Sequence, residues 1–257
     1  MKLTDRELQD EIIRYVTDPQ ARRWAGALKL SAREASRAAQ FARFLARRYY
    51  RDRLGRSFRY SAMLESRRHA TDLVEAEDFE ALLGADALGS FALAQTVGQR
   101  AVEWMMAAGK QNWWQSLLEY ERAHFLQTAT SEMRAPASAL QRGLSAACVS
   151  FDWDMPELLR LIKTKQTIAE DLWRSVTLLF SRTRSGGIYV MEVDRPTAAI
   201  FGAVDGHRDE EAISHAAGID GTTAQTILNS LIEIGAIAAP PAENATEQFQ
   251  PERVLGI

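Results

Sequence analysis

Four histidines, one cysteine and a set of spaced carboxylates are the residues with which this chain could do chemistry. Glu121 and His124 stand in a Glu-x-x-His spacing inside an apolar periodic run, which puts both on one face of a helix. Di-iron carboxylate bundles use that pair twice, together with two further glutamates on neighbouring helices. Only one copy is present here. Glu65 and His69 share a helix face at a spacing of four but do not make the second. A helical di-iron oxygenase is therefore one expectation, set against His124 as a hydrogen-bonded residue of a helical bundle. His207 and His215 flank a short helical run and lack the cysteine or carboxylate pattern of a zinc site. Cys148 lies in the apolar run Ala146-Ala147-Cys148-Val149 and reads as a small buried hydrophobe. No phosphate-cradling glycine loop, nucleophile elbow or kinase set occurs. The side chains favour binding over catalysis, with no catalytic residue and no metal ligand assigned in this chain.

The elements that would position a binding site lie between Val176 and Ile237. Val176–Arg182 and Ile188–Asp194 are β-branched and aromatic runs joined by Thr183-Arg184-Ser185-Gly186-Gly187, which predicts a hairpin. Pro196 opens a helix capped by Asp194 or Arg195, and Gly206 stands where a left-handed terminator belongs. A second helix is predicted over Arg208–Ala217, stopped by Gly218, and a third over Thr222–Ile234, stopped by Gly235. A hairpin with three short helices is a winged-helix module. Such modules lay the third helix in the DNA major groove or add a peptide as a strand beside the wing. Duplex binding needs Lys or Arg to neutralise phosphates, yet no basic residue occurs between Asp209 and Glu252. A peptide is the favoured ligand and a DNA-binding transcription regulator the alternative.

Upstream, the capping boxes Thr4–Glu7 and Ser31–Glu34 predict a helix to Val16 and a long helix to Arg53, ended by Gly55. The long helix is expected to turn Phe41, Phe44 and Leu45 inward and Arg43, Arg47 and Arg51 outward. Further helices are predicted over Tyr60–Leu73, Asp78–Leu83, Gly89–Ala108 and Trp113–Thr130. The expected fold is thus α+β, mostly α: an amino-terminal helical bundle (1–142), a winged-helix module with a small antiparallel sheet (143–239) and a polar tail (240–257). Adjacent tryptophans on one helix cannot both face inward, so Trp113 or Trp114 is expected to anchor an interface.

The net charge of −3 hides an asymmetry: Ala21–Arg68 carries 14 Lys and Arg against three acids, leaving 17 basic and 31 acidic residues elsewhere. Either an anionic partner or internal pairing with the acidic stretch Asp72–Glu80 would account for it. One cysteine, no long apolar run and a charged amino terminus lead to the expectation of a soluble cytoplasmic protein.

The second hairpin strand is expected to be a free edge, because Val176–Phe180 can pair on its other side with the segment near Val149. The peptide-binding residues would then be Ile188, Tyr189, Val190, Met191, Glu192 and Val193, with Thr223, Thr226, Ile227 and Ser230 of the third helix flooring the groove. Alternation predicts that Tyr189, Met191 and Val193 pack on the helices.

The order of parts, with the segment Leu118-Glu119-Tyr120-Glu121-Arg122-Ala123 in the last bundle helix, resembles the partner proteins of multinuclear non-haem iron oxidative enzymes that modify ribosomally made peptides. Their winged module is similar to the peptide-recognition element of such natural-product pathways. The resemblance implies a non-catalytic, required subunit of a heterodimer. It would bind a precursor or carrier peptide and present its cysteine to the iron enzyme, with iron in the partner and no cofactor in this chain. The interface with the enzyme is expected at Trp113, Trp114, Glu119 and Tyr120, although the tryptophan pair and the basic bundle are not matched to features of the family in general. Within the family the chain looks most like the subunit of 3-thiaglutamate biosynthesis, which serves removal of a carbon from a terminal cysteine. A methanobactin-type partner is the neighbouring possibility.

Overall fold

The computed structural model describes residues 32–65, 67–83, 88–109, 111–131, 139–169, 172–183 and 186–240. The helix expected over Thr4–Val16, the cap at Ser31 and nearly all of the tail lie outside them. The described chain is α+β, rich in helix, with a small antiparallel sheet.

Helix α1 (Ala32–Ser57) packs on α5 (Trp114–Ala129), which also packs along α4 (Phe91–Met106). Between them lie α2 (Arg59–Leu64), a 3-10 turn at Ala70–Glu75 and the single turn α3 (Phe79–Leu82). Gly55 does not end α1: its φ is not left-handed, and the helix runs on to Ser57. The helix expected over Tyr60–Leu73 is broken after Leu64, where Glu65 is extended, and restarts as the 3-10 turn with the His69 N–H on Asp72 Oδ2 at 2.9 Å. The buried face of α1 is Ala46, Tyr50 and Leu54 at spacings of four, whereas Phe41 and Phe44 are 52% and 56% exposed. Periodicity fixes which residues share a face, but a face is buried only where a neighbour covers it, and Phe41 and Phe44 are not covered.

In the carboxyl-terminal half, β2 (Ala147–Trp153), β3 (Trp173–Arg182) and β4 (Ile188–Glu192) form an antiparallel sheet in the order β2-β3-β4. Val149 pairs with Leu178, as the expected central position of β3 requires. Helix α6 (Met155–Thr164) crosses from β2 towards β3, and α7 (Arg195–Ala203), α8 (Glu210–Ala217) and α9 (Gly221–Glu233) follow β4. An aspartate caps each: Asp154, Asp194, Asp209 and Asp220 accept the N–H of the residue three positions on, satisfying donors that a helix start leaves open. A short pair, β1 (Gln141–Arg142) with β5 (Ile237–Ala238), closes the module and has no counterpart in the sequence reading.

The larger core joins α1, α4 and α5 to Phe151, Trp153, Val176, Leu178 and Phe180 of the sheet. The smaller one sets Leu179 against Ile200, Phe201, Ile213, Leu228 and Leu231. At the end of α9, Gly235 has φ +75°, and a Cβ there would stand 2.6 Å from the Arg182 carbonyl oxygen. Gly235→Ala is expected to destabilise the fold by about 2 kcal/mol or more, through left-handed strain and the clash together. Gly202→Ala, in helix α7 with open space around it, is expected to stabilise by about 0.5–1 kcal/mol. Urea denaturation of the two variants checks both signs.

Candidate peptide-binding edge

The free edge of the sheet follows from the ladder. Val193 N–H donates to Thr177 O at 2.9 Å and Thr183 N–H to Gly187 O at 2.8 Å. Between those ends, Leu179 faces Met191 and Ser181 faces Tyr189. Bonded and non-bonded pairs alternate in an antiparallel ladder, so Tyr189, Met191 and Val193 turn their backbone groups to β3. Ile188, Val190 and Glu192 turn theirs outward, and among the described residues no strand takes them up.

The side chains of β4 divide between two faces, and here the structure corrects the expected packing. Val190 projects with its partner Phe180 and packs against the larger core. Met191 projects with Leu179 towards the helices, and Tyr189 shares that face. Yet Tyr189 and Met191 remain 48% and 43% exposed, and only Val193 reaches the smaller core. The helices cover the far end of β4 and stop short of its middle, leaving two large apolar side chains beside unpaired backbone.

Helix α9 is fastened to the hairpin at its carboxyl end, where Ser181 Oγ donates to Ile234 O at 3.1 Å, next to Tyr189 across the ladder. Of the helix residues expected at the groove, Thr223, Thr226 and Ser230 are exposed and Ile227 is half-buried against the smaller core. The Thr226 and Ser230 hydroxyls donate to the carbonyls of Thr222 and Thr226, which leaves their oxygens as acceptors. On the opposite face of the sheet, Arg174 bridges Glu192 (2.8 Å) and Asp154 (2.6 Å), and its hydrogen bonds hold the Asp154 carboxyl below the usual range. This clamp braces the edge strand against the start of α6. It was not legible in sequence, since its members lie on three elements.

The expected enzyme-facing aromatics are turned inward. Trp113 and Trp114 are both buried, with centroids 6.3 Å apart, and Trp114 Nε1 donates to Met105 O at 3.1 Å. The rule that neighbours cannot share a face fails because Trp113 is the cap residue preceding the helix, and Gly109 leaves room for the Trp114 ring: a Cβ there would lie 2.1 Å from it. Tyr120 is buried edge-on to Phe180 at 5.4 Å, and burial raises its hydroxyl to about 12. Glu119 stays near the surface, paired with Arg122 at 2.8 Å. The basic face is largely taken up within the protein, as Arg43 and Arg47 meet Glu80, and Arg47 and Arg51 meet Glu75.

Glu121 and His124 do not form one ligand face. Glu121 Oε1 accepts the N–H groups of Tyr60 (2.6 Å) and Ser61 (3.0 Å), while His124 Nδ1 lies 3.1 Å from Ser57 Oγ. Among the described residues no three His, Cys, Asp or Glu side chains come together as a metal site would require. Glu121 is fully buried, and its Oε2 has no hydrogen-bond partner. A sequence signal for this existed: position 121 is four residues from Leu117 and four from Phe125, both core residues. No described helix is long and apolar enough to cross a membrane. No family model matches the chain, and no curated protein matches it.

Burial raises the Glu121 carboxyl from its usual 4.5 to about 7. A folded-state value above the unfolded one means that the folded protein holds the proton more tightly. The contribution is therefore most favourable below pH 4.5 and is lost as pH rises to 7. Stability should fall by about 3 kcal/mol from this group across that window. In Glu121→Gln, which cannot ionise, the decline is expected to vanish, so that the gap between wild type and variant moves in the variant's favour from pH 5 to pH 8 in denaturation curves.

Proposed function

We propose that this chain is a non-catalytic, peptide-binding subunit. In this reading residues 143–239 act as a winged-helix recognition module, the preceding helices serve as the body that meets a partner enzyme, and residues 240–257 are a tail. The observation that carries it is the edge of β4, with outward backbone groups at Ile188, Val190 and Glu192 beside the exposed Tyr189 and Met191. An extended peptide gains ladder hydrogen bonds there and lays alternate side chains over the apolar pair and the α9 face of Thr223, Ile227 and Ser230. Nucleic acid is disfavoured, because no Lys or Arg occurs between Asp209 and Glu252, the stretch that contains α9, and Arg43, Arg47 and Arg51 of α1 are paired with Glu75 and Glu80. The family resemblance adds the partner: an iron-dependent oxidative enzyme, to which this subunit presents the cysteine of a precursor or carrier peptide, as in 3-thiaglutamate biosynthesis. The enzyme would dock on a surface other than Trp113, Trp114 and Tyr120, which are buried.

The test is selection of 12-residue peptides from a display library on the whole protein, followed by calorimetry of an enriched peptide. Val190→Pro removes an outward N–H without touching the β3–β4 ladder and is expected to lower affinity at least tenfold. Arg47→Glu with Arg51→Glu is expected to leave it within about twofold, because those side chains lie on α1. Full affinity in the proline variant, or sequence-specific binding of duplex DNA at physiological salt, would sink the assignment. Metal analysis of the purified chain is expected to find no stoichiometric iron. About two irons per chain, lost on changing Glu121 or His124 to Ala, would restore the di-iron oxygenase reading.

A further inference from the structure

Helix α2 is short and lightly held against the larger core. It has six residues and one buried side chain, Ser61, while Met63 and Leu64 are 50% and 43% exposed. It is bounded by two non-helical residues, Phe58 before it and the extended Glu65 after it. It packs on both α5 and α6 and so bridges the helical half and the sheet half. Its preceding residue supplies no side-chain cap; the N–H groups of Tyr60 and Ser61 go instead to one oxygen of Glu121, a residue sixty positions away. The other oxygen of that carboxyl is buried with no partner.

We propose that α2 is a latch held shut by the Glu121 carboxyl, and that ionisation of this group opens it. With the latch closed, a proton on Glu121 spares the protein a buried charge, while Oε1 still accepts from α2. Once ionised, the carboxylate holds its charge on a fully buried side chain with one oxygen short of a partner, and α2, with one buried side chain, is a light element to displace so that water reaches it. The groups that bear on Glu121 are all on α2: the Ser61 hydroxyl and the Ser61 and Tyr60 N–H groups, whose hydrogen bonds favour the ionised form, and Arg59, whose charge does the same; on its own helix stand Tyr120, raised by burial, and His124, pushed below its ordinary value by burial and by Arg59. Among the described residues, α1 and α6 supply no charge that shifts it. Opening would take Tyr60 off the Tyr120 ring, 6.5 Å away, and uncover Phe58 and Tyr120. The molecule would then show an apolar patch at the joint of its two halves at alkaline pH and hide it at acid pH.

With an open-state value of 4.5 and a closed-state value of about 7, opening should grow about tenfold per pH unit between these limits, about 300-fold in all, and level off above. The experiment is amide hydrogen exchange of the full chain, followed by NMR and corrected for intrinsic rate. Protection at Tyr60 and Ser61 is expected to fall with that slope from pH 5 to pH 7 and to be insensitive to low urea. The Val97 and Leu228 amides should remain better protected throughout. In Glu121→Gln the slope should be absent. A carboxyl titration of the wild type, read by carbon NMR, gives the midpoint independently of how the variant folds. A midpoint near 4.5, the same slope in the variant, or Tyr60 and Ser61 exchanging together with Val97 would each overturn the latch.

Discussion

A strand that is apolar on both faces must be covered from both sides, and β3 imposes that requirement on the whole molecule. Val176, Leu178 and Phe180 turn to the larger core, while Leu179 turns to the smaller one. Neither half of the chain can complete the sheet's burial alone. Helix α5 meets one face, with Tyr120 edge-on to Phe180, and the helices after β4 meet the other. With β2 on one flank, β3 can take only one more neighbour, and the chain supplies β4 by the shortest route, a hairpin. The consequence is an edge strand whose inner ladder is secured and whose outer ladder is open.

Polar contacts at the seam between the halves are few and specific. Gln127 and Ser145 bond each other across it, the amide donating to the Ser145 carbonyl and the hydroxyl to the Gln127 carbonyl. Arg182 reaches from the end of β3 to the Thr130 carbonyl at 2.6 Å. Ser181, fully buried, donates to Ile234 O. Each satisfies a group that burial would otherwise leave costly, and each fixes the register of α5 or α9 against the hairpin. Glu121 departs from this pattern, one oxygen satisfied and the other not, and burial raises its carboxyl to about 7.

Charge is organised by the same logic of neighbours. The arginines of α1 look like a surface for an anionic partner when counted along the chain, but Glu75 and Glu80 are brought alongside them by the 3-10 turn and α3. Exposed pairs of this kind contribute little to stability. Their effect is to place negative charge against Arg43, Arg47 and Arg51 of that face. At the other end, the acidic caps Asp194, Asp209 and Asp220 lie at helix starts, where they complement the backbone and add to the negative character of the module.

After β3 the sequence by itself determined the elements and most of their limits, whereas Gly55 and the run Tyr60–Leu73 misled. Asp194, Asp209 and Asp220 begin α7, α8 and α9, Gly218 and Gly235 end the last two in left-handed geometry, and the β-branched runs on either side of Gly186-Gly187 make the hairpin. These signals act within a few residues, through backbone hydrogen bonds and dihedral preferences, so they can be read without a partner. Only the tertiary structure decided which faces are covered. Phe41 and Phe44 are as apolar as Tyr50 and Leu54 but remain exposed; Trp114 is buried with its indole N–H on the Met105 carbonyl of another helix; Tyr189 and Met191 stay open because α9 ends beside them. Burial is a property of a pair of surfaces, and the second surface comes from residues tens to a hundred positions away, whose approach no local pattern encodes. Glu121 shows the same limit in chemical form: its spacing to His124 places the two on one helix, but Tyr60 and Ser61 on another helix decide what the carboxyl bonds, and burial by the surrounding elements raises where it titrates.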